Sequence, residues 1–63
     1  MLRISLKSAR INANLKQTDV ALALGVTRKT VAAWENGKAI PSVDKVDPIC
    51  NLYGVTYDNI RWA

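Results

Sequence analysis

Arg28 and Lys29 stand side by side at the head of the stretch Arg28-Lys29-Thr30-Val31-Ala32-Ala33-Trp34-Glu35, and two alanines follow one turn later. An arginine forks onto O6 and N7 of guanine, and a lysine reaches the same atoms. Alanines in the next turn cannot hydrogen-bond through their side chains, so they admit close approach and can touch a thymine methyl. The chemistry on offer is recognition of a polyanion, not catalysis. The chain has no histidine, no glycine-rich phosphate loop and no carboxylate cluster at ligand spacing, so no enzyme activity and no cofactor are expected. Its one cysteine, Cys50, can form no intramolecular disulfide, and without histidine no ordinary zinc site can be assembled. A lone cysteine in an apolar stretch reads as a small core residue in a reducing compartment.

Short helices must position these side chains. The spacing of Leu6, Ala9 and Ala13 predicts a first helix from about Arg3 to Ala13, ended by Asn14, a residue that tolerates the left-handed conformation. A second helix is expected over Gln17–Leu24, with Val20, Ala21 and Leu24 inward, Asp19 in the first turn and Gly25 as its stop. Thr27 then caps a third helix, Arg28–Glu35, which Asn36-Gly37 closes. Pro41 makes Ala39-Ile40-Pro41 a loop. Ser42 is placed to cap a fourth helix reaching Tyr53, but Pro48 predicts either a kink or a restart with Asp47 as cap. After Gly54, a short fifth helix is expected over Tyr57–Ile60, capped by Thr56. The expectation is all-α: five short helices around one core, with no strand. On a wheel of the third helix, Val31, Trp34 and Thr27 turn toward the core, while Lys29, Ala32, Ala33 and Asn36 fall opposite. Arg28 lies on the flank at the N-terminal end, where its long side chain can still reach a groove floor. The expected base contacts are Arg28, Lys29, Ala32 and Ala33, with Thr27 at the edge of the set; contact with phosphates alone is the alternative for Arg28 and Lys29.

Residues 17–36, QTDVALALGVTRKTVAAWEN, meet the needs of two crossing helices joined by a three-residue turn. Ala21 is small where the backbones approach, Gly25 is free to take positive φ, and Val20, Leu24, Val26, Val31 and Trp34 fill the crossing. With Leu6…Arg10 before it, Glu35-Asn36-Gly37-Lys38 and Pro41-Ser42 after it, and Gly54-Val55…Asp58…Ile60 at the end, the chain resembles the Cro and phage-repressor type of helix-turn-helix regulators. The resemblance implies a lambda-repressor-like five-helix domain, the third helix in the major groove, and frequent dimerisation. It also implies that Gln17 caps the DNA-facing end of the second helix and bonds a phosphate. Asn36 and Lys38 look like phosphate contacts too, with Lys16 and Arg10 as further members of that set. Such contacts fix register without reading sequence. Arg10 is implied as the ion-pair partner of Glu35, the alternative being two independent exposed charges. Lys16 departs from the family's usual Ser or Thr cap.

Charge distribution supports the same division of labour. Residues 1–38 hold seven of the nine basic residues against Asp19 and Glu35, whereas residues 39–63 hold Lys45 and Arg61 against Asp44, Asp47 and Asp58. The first part is committed to a polyanion and the rest is left for another task. Sixty-three residues are expected to form one domain, with no small-molecule effector site, and two base readers are thin for specific binding. A homodimer on DNA is therefore expected, joined through Val55, Tyr57, Ile60 and Trp62, the alternative being that Trp62 folds back on its own core. No apolar run is long enough for a membrane span and Met1–Lys7 is too polar for a signal peptide, so a cytoplasmic protein is expected. The partner is then a double-stranded DNA operator, and the role that of a phage or mobile-element type repressor. Two rival readings are a helix-turn-helix antitoxin that regulates its own operon, and a protein-interaction module that has lost DNA binding.

Overall fold

The computed structural model describes residues 2–62. Four α-helices surround one core: α1 (Leu6–Asn12), α2 (Gln17–Leu24), α3 (Arg28–Glu35) and α4 (Val43–Tyr53). The expected fifth helix is a single 3-10 turn, Tyr57–Asn59. The expectation of no strand also fails. Strand β1 (Ile4–Ser5) pairs in parallel with β2 (Ile60–Arg61), Ile4 opposite Ile60 and Ser5 opposite Arg61. The first helix accordingly starts at Leu6 and not at Arg3, because Ile4 and Ser5 are spent on this pairing. Ser5 has extended backbone, and its Oγ accepts from the Ser8 N–H at 3.0 Å.

Local chemistry accounts for most of the boundaries. Asn14 turns the chain after α1 in the left-handed region (φ 60°). Lys16 cannot accept a bond from the first turn of α2, and Asp19 supplies half of a cap instead, its carboxylate accepting from the Lys16 N–H at 2.8 Å. Gly25 stops α2 at φ 68°, a left-handed backbone that most side chains disfavour and glycine adopts freely. The Lys45 Nζ reaches from α4 to donate to the Leu24 carbonyl at 3.1 Å, placing a cation on the negative end of α2. Thr27 Oγ1 accepts from the Thr30 N–H at 3.2 Å and so caps α3.

Three other expectations need correction. The helix does not restart at Pro48: α4 runs unbroken through it. Proline removes the N–H that would bond the Asp44 carbonyl. Burial of Ile49, Cys50 and Tyr53 on the same helix outweighs that loss. Ser42 precedes α4 but caps it with no side-chain bond to the backbone; its hydroxyl donates to Asp44 instead. Thr56 likewise provides no side-chain cap, the bond running the other way: Asn59 Oδ1 accepts from the Thr56 N–H at 3.0 Å.

The core joins Leu6 and Ala9 of α1, Val20, Ala21 and Leu24 of α2, Val31 and Trp34 of α3, Ile49 and Tyr53 of α4, and Ile60 of β2. Cys50 is buried beside them, and burial pushes its thiol pKa up. Among the described residues, no His, Cys, Asp and Glu cluster could hold a metal ion, and no helix is long and apolar enough to cross a membrane.

Candidate nucleic-acid interface

Packing decides which face of α3 is presented. Val31 and Trp34 are buried, so the helix is held by that side. Arg28 and Lys29 are exposed at its first turn, Thr27 is exposed before them, and Ala32 and Ala33 are half-buried. At the far end the backbone folds back on the helix: the Asn36 N–H donates to the Ala32 carbonyl at 2.9 Å, and the Lys38 N–H to the Ala33 carbonyl at 2.9 Å. This turn fixes the backbone from which the exposed side chains of Asn36 and Lys38 project. Lys16 is exposed just before α2.

Behind this surface lies a chain of polar contacts. Arg10 Nε donates to Glu35 Oε2 at 2.7 Å, and its Nη2 to Glu35 Oε1 at 3.2 Å. The two side chains are 11% and 4% exposed, so this is a fork-to-carboxylate pair largely out of water. Arg10 is thereby turned inward, tying α1 to α3, and its Nη1 donates to the Leu15 carbonyl at 3.0 Å. The hydrogen bond to Glu35 raises the Arg10 pKa further. Tyr53 packs nearby, and its pKa is pushed up to about 12, mainly by burial and secondarily by the Glu35 charge. Gln17 then extends the chain outward. Its Nε2 donates to Glu35 Oε1 at 3.0 Å, and its Oε1 accepts from Arg28 Nη1 at 3.0 Å.

The structure therefore brings Arg10, Glu35, Gln17 and Arg28 together. Gln17 was expected to face a phosphate and Arg10 to be available to one; here both side chains are engaged within the protein. Sequence reasoning missed the link between Gln17 and Arg28, because the two residues are eleven positions apart and meet only once α2 and α3 have crossed. The acceptor-only carboxylate at Glu35 was the one available signal that a donor must come to it.

Of the residues assigned to a dimer contact, Ile60 has to be withdrawn. It is 1% exposed and packs in the core, because its pairing with Ile4 turns the side chain inward. Val55 is half-buried against the core. Trp62 folds back: its ring stacks on Tyr57 at 5.4 Å between centroids, and its Nε1 donates to the Tyr57 carbonyl at 3.0 Å. Tyr57 itself is exposed. Beside this aromatic pair lies a hollow of about 360 Å³ lined by Ile40, Pro41, Val43, Val46 and Asp47. Ile40 and Val43 on its rim are exposed, Val43 at 91%.

Residues 6–60 match the helix-turn-helix family model. The chain belongs to this family. It is 42% identical over 55 residues to an HTH-type transcriptional regulator of Methanocaldococcus jannaschii, a match spanning 87% of this chain and 83% of that one. It is 39% identical over 41 residues to the 26 kDa repressor protein of Escherichia phage HK022, covering 65% of this chain and 17% of the repressor. It is 32% identical over 60 residues to antitoxin PezA of Streptococcus pneumoniae, covering 95% of this chain and 38% of the antitoxin. The helix-turn-helix chain thus spans well under half the length of the phage repressor and the antitoxin. No solved structure matches it.

Proposed function

We propose that this helix-turn-helix chain binds double-stranded DNA sequence-specifically and regulates transcription as a repressor of the phage type. In this reading α3 lies in the major groove. The observation that carries it is the sidedness of α3: Val31 and Trp34 anchor one side, and Arg28 and Lys29 stand exposed at its N-terminal turn. Base edges meet the N-terminal residues of a recognition helix. Arg28 and Lys29 read bases, Ala32 and Ala33 allow close approach with Thr27 at the edge, and Lys16, Asn36 and Lys38 hold phosphates. These exposed cations argue against an interaction module that has lost DNA.

Arg28→Ala is expected to relax preference at one base position, at a cost of about 1–3 kcal/mol on the selected site. Lys38→Ala is expected to weaken binding to every sequence alike and to lower the salt slope by about 1. Selection of bound sites from random DNA, followed by titration of selected and random duplexes at several salt concentrations, tests both. Equal losses for Arg28→Ala on the two duplexes would remove it from the base contacts.

The working form in this proposal is a two-fold dimer on DNA. Its contact runs over Ile40, Val43 and Tyr57, with Trp62 behind Tyr57, on the part of the chain that carries little of the basic charge. Large exposed apolar side chains grouped around one hollow support that choice. Two copies would place recognition helices on half-sites about 10 base pairs apart. Val43→Asp changes an exposed position, so the melting temperature is expected to hold while cooperative binding to a two-half-site operator is lost. One chain per site with full specificity, or unchanged cooperativity in Val43→Asp, would reject the dimer.

A further inference from the structure

We infer that the dimer selects a second copy of this same chain by charge, Arg61 of each copy meeting Asp47 of the partner subunit across the aromatic ridge of Tyr57 and Trp62. The inference rests on the proposed two-fold contact and adds to it the pair of residues that decides which chain is accepted.

The ridge has unlike flanks. Tyr57 and Trp62 line two hollows at once, the apolar one beside Val43 and a second of about 320 Å³. Arg3, Asp58 and Arg61 line the second, two arginines against one acid. Arg61 is exposed, and its backbone is fixed opposite Ser5 in the paired strands. Asp47 stands exposed on the other flank, at the apolar hollow. Asp44 lies three residues earlier on α4, so the two acids share one side of that helix. Lys45, the one base of α4, reaches instead to the Leu24 carbonyl. Among the described residues, neither Arg61 nor Asp47 is in an ion pair.

A basic flank, an apolar middle and an acidic flank suit one partner above others. In a two-fold contact the same surface supplies both halves, so that if residue i meets j, then j meets i. Turned about an axis running along the ridge, the basic flank of one copy comes to the acidic flank of the other, twice over. Each guanidinium then forks onto a carboxylate at the edge of the covered apolar area, where interfaces carry their charges. A surface with one sign of charge on both flanks would repel its own copy. DNA is no rival for this face, because Asp44 and Asp47 would meet phosphates. A chain of the same fold without an acid at position 47 would leave Arg61 unpaired, so the contact favours self over relatives.

The experiment uses two opposite reversals, Arg61→Asp and Asp47→Arg. Each is titrated on a single half-site and on an operator with two half-sites, alone and as an equimolar mixture. Alone, each variant sets like charges together at both pairs, and cooperativity is expected to fall at least about tenfold. The melting temperature is expected to hold, because both positions are exposed. The two reversals change net charge in opposite directions, so a mere effect on attraction to phosphates would push half-site affinity opposite ways and leave cooperativity alone. In the mixture each chain supplies the charge that the other has lost, and cooperativity is expected to return. Unchanged cooperativity in either variant, or loss in both with no return in the mixture, would overturn the inference while leaving the two-fold dimer in place. Non-cooperative binding by wild type would overturn the dimer, and this inference with it.

Discussion

Ile60→Ser is expected to unfold the domain at or near room temperature. Ile60 is 1% exposed and is one of the largest fully buried side chains. Removing a large buried aliphatic side chain costs about 2–5 kcal/mol. A serine hydroxyl left without a partner there adds about 1–3 kcal/mol. Against this stands a total stability of roughly 3–9 kcal/mol for 63 residues at the usual value per residue. A thermal melt followed by circular dichroism checks it, and a midpoint within a few degrees of wild type would show that β2 is dispensable to the core. The same residue had been placed on the dimer surface by its position near the end of the chain. Any loss of DNA binding in Ile60→Ser is therefore expected to be a folding defect, which is why Val43→Asp is the informative probe of association.

Glu35→Ala is the second large effect, expected to cost about 3 kcal/mol, the low end of the range for removing one partner of a buried ion pair. The low end applies because Arg10 is still 11% exposed and water can reach part of its guanidinium. Three donors lose their acceptor together: Arg10 Nε, Arg10 Nη2 and Gln17 Nε2. A double-mutant cycle with Arg10→Ala, read from melts or urea titrations, is expected to show coupling of at least about 1 kcal/mol. Coupling near zero would mean that α1 and α3 are held by apolar packing alone. Glu35→Ala is further expected to loosen Gln17, so any DNA affinity it retains should come with weakened base preference.

Much of this architecture could be read before any coordinates, wherever one residue settles its own neighbourhood. Gly25 and Asn14 stop helices by a backbone preference that needs no partner, and Thr27 caps α3 with its own hydroxyl. The bounds of α2 and α3, and the burial of Val20, Ala21, Leu24, Val31 and Trp34, follow from period and punctuation. What escaped depends on residues far apart. Ile4 and Ser5 have nothing in their own stretch to mark them as strand; they become one because Ile60 and Arg61 arrive beside them. Pro48 argues locally for a break, and the burial of Ile49, Cys50 and Tyr53 overrides it. The meeting of Arg10 and Glu35 was legible only through the family resemblance, and the place of Gln17 between Glu35 and Arg28 was not legible at all.

The parallel pairing of β1 with β2 also sets how the domain carries tension. Ile4 lies opposite Ile60 and Ser5 opposite Arg61, both strands running the same way. A pull that separates Leu2 from Trp62 drags the two strands past each other along their length. The slanted bonds of a parallel ladder are then loaded together, in shear, and do not open one by one like a zipper. The four helices lie between these strands in sequence, so they feel no stretching force until this short clasp slips. A clasp of two residues per strand is a modest one, yet it stands first in the mechanical path, and α3 is shielded behind it.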